Sequence, residues 1–328
     1  MRTATGNDGP ARRRLGGRAL GRRVATGLTA VALSAGTAVA VGPGTAGADG
    51  ATSARIVAVG AENEYASVIS QIGGRYVTVT AVMSNPNTDP HTFESSPHVS
   101  QVVSSAQLVV QNGLGYDGFM DKIESASPDP RRKVVDVQSL LGLPSTTPNP
   151  HLWYKPTTMP AVAQAVAGDL SDLQPAHRAY FEANEARFVA SLAPWSRALA
   201  QLQAEAPGAP VATTEPVADY MLEAAGIDNL TPFAFQADVM NGVDPAPEDV
   251  ALEEGLFTGH KVKAFVYNQQ VTDTLTEDLV ALAHQNHIPV VGVYETMPTP
   301  GYDYQTWMLA EVKALTAAVL HGTSAPRL

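Results

Sequence analysis

From Arg55 onward, short uninterrupted apolar runs alternate with stretches of helical period. Ile56 to Gly60 has the pattern of a buried strand, Glu64 to Ile72 that of a helix, and Tyr76 to Val82 that of a second strand. Pro97 to Ser105 predicts a helix that leads into the apolar run Leu108 to Gln111, and a break follows at Ser125 to Arg132. Met159 to Glu205 carries a long helical pattern interrupted by Pro175 and Pro194; within it Tyr180, Phe181, Asn184, Phe188 and Leu192 form one stripe at three-to-four spacing. After the turn Pro207-Gly208-Ala209-Pro210 the alternation resumes. Strands are predicted at Val211 to Thr214, Ala264 to Tyr267 and Pro289 to Tyr294, and helices at Val217 to Ala225, Leu275 to Gln285 and Tyr304 to Leu320.

Strands alternating with helices predict the α/β class with parallel-type sheets. The simplest architecture is two α/β lobes joined by one long helix: an N-terminal lobe over 54–175, a linking helix over 176–206 and a C-terminal lobe over 207–322. A ligand is then expected in the cleft between the lobes, at the C-terminal ends of strands.

The first 48 residues belong to a different pattern. Arg12, Arg13, Arg14, Arg18, Arg22 and Arg23 precede an uncharged run from Val24 to Val41, followed by the small-residue patterns Ala38-Val39-Ala40 and Ala46-Gly47-Ala48. A basic region, an apolar region and an A-x-A site predict a secretory signal peptide over 1–48, with retention as a membrane anchor as the alternative. The expected mature protein is exported, either extracellular or associated with the cell surface.

Charge then narrows the partners. The 328 residues carry 21 Lys+Arg and 32 Asp+Glu, and seven of the basic residues lie in the N-terminal segment, so the remainder is more acidic than the formal −11 of the whole chain. Nucleic acid is not expected as a partner, because phosphate neutralisation needs a basic face. Cations suit it better. The chain has no cysteine, which excludes a disulfide framework, a thiolate nucleophile, a cysteine zinc cluster and a lipid-anchor cysteine.

Six of the eight histidines have ordinary settings: His98, His177, His260, His284, His287 and His321 fall at helix ends or in polar loops. His91 and His151 differ. Each follows a proline, in Asp89-Pro90-His91-Thr92-Phe93-Glu94 and in Asn149-Pro150-His151-Leu152-Trp153, and proline stiffens the loop that presents the ring. In the C-terminal half, Glu215 ends a predicted strand, Glu295 ends another, and Asp303 follows in the next loop. Two imidazoles and two carboxylates would neutralise a divalent cation within a nitrogen/oxygen shell, although Glu215 could equally be a helix N-terminal carboxylate.

These segments, together with Ala106-Gln107-Leu108-Val109-Val110-Gln111-Asn112-Gly113-Leu114-Gly115, Tyr180-Phe181-Glu182-Ala183-Asn184 and the closing Tyr304-Gln305-Thr306-Trp307-Met308, resemble the zinc/manganese substrate-binding proteins of ABC importers. The likeness runs from about Arg55 to Leu320. It implies a monomer with two α/β lobes bridged by a single long helix, the metal between them, and an ABC permease as partner. His91 and His151 match the two N-lobe ligands and Glu215 the third, where zinc-type members often carry His and manganese-type members Glu. The resemblance leaves the fourth position open between Glu295 and Asp303.

The cargo implied is Mn2+ or Zn2+. Glu215 and the absence of a His/Asp-rich loop favour Mn2+, while the Irving–Williams order gives isolated protein the tighter hold on Zn2+. The alternative is a secreted metal-dependent hydrolase using the same His/Glu shell. Against it, the chain has no H-E-x-x-H, G-x-S-x-G or G-x-x-x-x-G-K pattern.

Overall fold

The computed structural model describes residues 54–298 and 300–328. The basic N-terminal segment and its cleavage patterns lie outside the described residues.

The apolar runs form two separate four-stranded parallel sheets. In the first, β1 (Ile56–Glu62), β2 (Val77–Met83), β3 (Leu108–Gln111) and β4 (Lys133–Asp136) lie in the order β2-β1-β3-β4. In the second, β5 (Pro210–Thr213), β6 (Asp228–Asn229), β7 (Ala264–Asn268) and β8 (Val290–Val293) repeat that winding as β6-β5-β7-β8. Every pairing is parallel. Parallel strands need covering on both faces, and alternate residues serve opposite layers. Ile56, Ala58, Leu108 and Val110 face one apolar core, while Val59, Ala61 and Val109 face a second with Val103, Met120 and Ile123.

The first sheet is covered by α1 (Asn63–Gly73), α2 (Pro97–Ser105), α3 (Phe119–Ala126), the short α4 (Val137–Leu140) and α5 (Thr158–Leu173). Gly60 makes the β1–α1 junction possible: a Cβ there would sit 2.4 Å from the Ala66 backbone nitrogen. The linking helix comes in two segments, α6 (Arg178–Ser191) and α7 (Ala193–Glu205), separated at Leu192. Pro194 explains the interruption, since it has no N–H to offer the preceding turn and its ring crowds the carbonyl four residues back. Phe181, Asn184 and Phe188 of the anticipated stripe are buried. The Asn184 amide donates to the Ile72 carbonyl at 2.7 Å, which fastens α6 to the end of α1. The two segments serve different lobes, α6 packing on α1 and α5 and α7 on the last helix.

In the second lobe follow α8 (Asp219–Ala224), α9 (Phe233–Met240), α10 (Pro247–Thr258), α11 (Thr274–Gln285) and α12 (Tyr304–His321). Phe235, Leu256, Phe257 and Leu279 cover one face of its sheet, against Phe265 and Val290. Val211, Val266, Val291 and Val293 instead join the core that continues into the first lobe. Each such fully buried aliphatic side chain contributes about 1.5–3 kcal/mol.

Large aromatic side chains fill the junction between the lobes. Trp153, Tyr154, Trp195, Tyr304 and Trp307 are buried, and their polar atoms tie the lobes together: the Tyr304 hydroxyl donates to the Trp153 carbonyl at 2.6 Å and that of Tyr154 to the Tyr294 carbonyl at 2.8 Å.

Candidate metal centre

His91 follows β2 and is held by its own loop. The Asp89 carboxylate accepts the His91 backbone N–H at 2.8 Å, with Pro90 opening a single 3-10 turn. The His151 loop repeats the device: Asn149 Oδ1 accepts the His151 backbone N–H at 2.9 Å across Pro150. An Asx residue, a proline and then the histidine therefore make a self-bracing unit, in which the side-chain oxygen at the first position satisfies a donor at the third. Sequence reading found the proline in each unit and missed the Asx residue.

Asn149 also settles the His151 tautomer. Its Nδ2 donates to the Pro216 carbonyl at 2.7 Å, which fixes the amide orientation, so its Oδ1, 2.8 Å from His151 Nδ1, must accept a proton from the ring. The neutral ring then directs a lone pair from Nε2. Glu295 Oε2 stands 3.1 Å from His151 Nε2 and 3.1 Å from His91 Nε2. Three lone-pair atoms cannot converge in this way unless a proton or a cation sits among them.

The surrounding bonds aim the carboxylate. Tyr116 donates its hydroxyl to Glu295 Oε2 at 2.9 Å, and Asn268 donates Nδ2 to Oε1 at 2.7 Å. The same Asn268 nitrogen lies 3.2 Å from Glu215 Oε1, so one amide at the end of β7 joins the two acids. Glu215 Oε2 and His91 Nε2 are buried with no aligned hydrogen-bond partner. His151 and Glu295 are fully buried and Glu215 is 3% exposed, whereas the His91 side chain retains 21%. His91 is the most exposed member of the cluster.

Charge follows from this geometry. Burial would push the Glu295 carboxyl up, but its close contacts with His151 and His91 hold it well below the usual range. His91 is lowered by burial and raised more strongly by its contact with Glu295, giving a net rise; for His151 burial wins and the net shift is down. Burial and the neighbouring Glu295 charge raise Glu215 well above an ordinary carboxyl. Behind the centre, burial and then the charge of Asp117 and Glu64 raise Glu62, and burial raises Glu64. A divalent cation would displace protons from this shell and balance its acids.

Of the five residues singled out in the sequence, His91, His151 and Glu295 offer ligand atoms within 4.8 Å of one another. Glu215 joins them through Asn268. Asp303 stands apart: it caps α12, its Oδ1 accepting the Thr306 backbone N–H at 3.0 Å, in a reciprocal capping box. Its position just before the helix reflects that cap. Sequence reading also missed Tyr116, Asn268 and Gln270. Tyr116 carried a faint signal, because Gly113, Leu114 and Gly115 all have positive φ, a left-handed turn that glycines favour and that folds the chain back.

Two parallel-sheet lobes with a His/Glu cluster between them define a two-lobed α/β fold with a candidate metal centre. A Mn-bound periplasmic metal binding protein from Candidatus Liberibacter asiaticus shares the fold, with a TM-score of 0.67 at 16% identity over 81% of this chain and all (100%) of that one. Residues 59–318 match the family described as zinc-uptake complex component A, periplasmic (ZnuA), and the chain belongs to that family. A putative metal-binding protein of Thermotoga maritima is 30% identical over 95 residues, 29% of this chain and 33% of that one. The manganese-binding lipoprotein MntA of Bacillus subtilis is 24% identical over 144 residues, 41% of this chain and 47% of that one. The chain thus spans between a third and a half of the length of these two relatives.

Proposed function

We propose that the protein captures a divalent transition metal, Mn2+ or Zn2+, outside the cytoplasm and delivers it to the permease of an ABC importer. His91, His151, Glu215 and Glu295 are the ligands in this reading. The lobes are 54–175 and 207–322, joined through 176–206, and the protein works as a monomer without catalysing a reaction. Among the described residues no helix is long and apolar enough to cross a membrane.

The observation that carries the reading is the convergence on Glu295 Oε2 of two imidazole nitrogens from the first lobe, each at 3.1 Å. Capture brings the lone pairs of both lobes onto one ion, and the neutral, Nδ1-protonated form of His151 is already selected for it. Two nitrogens and two carboxylates suit either cargo: the acids supply the hard oxygen that Mn2+ prefers, and the imidazoles the nitrogen that holds Zn2+.

The test is calorimetric titration of the metal-free protein with Zn2+ and Mn2+, in wild type and in Glu295→Gln. Wild type should bind one ion per chain. The glutamine keeps the shape but loses the charge, and its NH2 must face either Asn268 Nδ2 or the Tyr116 hydroxyl and imidazoles, so affinity should fall by about 30-fold or more. Equal titrations for the two proteins would refute the assignment.

A further inference from the structure

The two N-lobe ligands are tied to the opposite lobe in different ways. His151 belongs to a buried block: Asn149 grips Pro216 beside Glu215, Tyr220 donates to the Asn149 carbonyl at 3.0 Å, and the large aromatic side chains adjoin it. A further junction between the lobes is fastened separately. There the Asn63 amide pairs with both backbone groups of Met297, and Gln71 and Gln305 exchange amide hydrogen bonds at 3.1 and 2.8 Å.

The His91 loop has far less. Among the described residues, its polar contacts to the second lobe are His91 with Glu295 and the Thr88 carbonyl with Gln270. Gln270 lies two residues beyond β7, is 6% exposed, and spends both of its side-chain polar atoms on this junction. Its Oε1 accepts the backbone N–H groups of Glu295 and Thr296 at 2.7 and 2.8 Å, while Nε2 donates to the Thr88 carbonyl at 2.7 Å and to the Thr296 hydroxyl at 3.2 Å. A cavity of about 210 Å³, lined in part by Met83, Thr88, Asp89, Phe93 and Thr296, adjoins this loop. His91 is also the partly exposed member of the cluster.

We propose that Gln270 is the latch of the metal centre, a positioning residue that clasps the His91 loop to the Glu295 loop and sets how fast the captured cation leaves. The proposal rests on the metal-binding reading above. Release then begins at the His91 side, by parting of the Gln270–Thr88 bond, while His151, Glu215 and Glu295 stay in place. An uncharged amide is well matched to such a clasp, because it holds the loop without competing for the ion, and a neutral hydrogen bond is weak enough for a docked permease to break.

The experiment is stopped-flow release of Zn2+ from the loaded full-length protein into excess chelator, with association measured separately, in wild type, Gln270→Met and Gln71→Met. Gln270→Met should release Zn2+ about five to ten times faster with association changed less than twofold, and Gln71→Met, in α1 at the separate Gln305 junction, should match wild type. A general loss of structure would not divide the two rates in this way. Hydrogen exchange of the loaded protein supplies a second readout through Gln270→Glu, which retains the acceptor for the Glu295 and Thr296 backbone N–H groups and loses the donors to the Thr88 carbonyl and the Thr296 hydroxyl: exchange should quicken over 85–93 and change less over 294–297, whose N–H groups keep their acceptor. Wild-type release rates in Gln270→Met, equal acceleration in Gln71→Met, or unaltered loop exchange would each overturn the latch. If wild type itself takes up no Zn2+, the metal-binding reading falls and the latch with it.

Discussion

Asn149→Ala tests whether an uncharged amide prepares His151 for a cation. The substitution removes the acceptor of the His151 Nδ1 proton at 2.8 Å, the acceptor of its backbone N–H at 2.9 Å and the donor to the Pro216 carbonyl at 2.7 Å. The ring is then free to place its proton on either nitrogen and to rotate, so part of the binding energy goes into restoring the Nε2 lone pair. Outer-shell partners of metal-bound histidines are worth about 10- to 100-fold in affinity, which corresponds to roughly 1.4–2.7 kcal/mol. Net hydrogen bonds contribute about 0.5–1.5 kcal/mol each, so this loss amounts to the ring bond plus part of the other two. Asn149→Asp separates the roles, because a carboxylate still accepts the ring proton and raises the basicity of Nε2, while the donor to Pro216 is gone. It should recover most of the Zn2+ affinity that alanine loses. The assay is competition against a calibrated Zn2+ indicator at fixed pH, with circular dichroism to establish folding. A folded alanine variant within twofold of wild type would refute the reasoning.

Asp303→Ala should leave Zn2+ affinity within twofold of wild type and cost about 1 kcal/mol of stability through loss of the α12 cap, read as a lower midpoint in thermal or urea unfolding. Glu253 is fully buried, with Oε1 3.2 Å from the Thr231 hydroxyl and Oε2 unpartnered, and burial raises its pKa to about 8. The folded protein therefore keeps this proton up to about pH 8, whereas an unfolded carboxyl releases it near 4.5. Its stabilisation is present below that lower value and is lost as pH rises through the upper one, at up to about 1.4 kcal/mol per pH unit in between. Glu253→Gln should flatten the fall in urea stability between pH 6 and 9, leaving the share from Glu311, also near 8; an unchanged slope would contradict it.

How much of this was legible from sequence depends on which physical rule each feature obeys. The strands built from continuous apolar residues, such as Leu108–Gln111 and Val290–Val293, announce themselves because both faces are buried. The edge strand of the second sheet and two of its covering helices do not: β6 has two residues, and α9 and α10 lie in a stretch that the pattern left unassigned. In the site, His91 and His151 could be found because proline marks their loops. Glu295 and Asp303 could not be ranked, since each is an acid close to a strand or helix end and only the folded chain separates a carboxylate aimed at two imidazoles from one spent on a cap. Asn268 and Gln270 obey no local rule at all. Asn268's partners lie 27 and 53 positions away on other strand ends of its own lobe, and Gln270 reaches Thr88, 182 positions away in the other lobe, so these roles exist only in the folded chain.

The most direct measurement is anomalous diffraction at the zinc edge from crystals of the Zn2+-loaded protein. The account predicts one peak in the cleft, with His91 Nε2, His151 Nε2 and a carboxylate oxygen from each of Glu215 and Glu295 at about 2.0–2.2 Å, and Asp303 still capping its helix. A peak elsewhere, or one that the imidazoles of His91 and His151 do not touch, would contradict it.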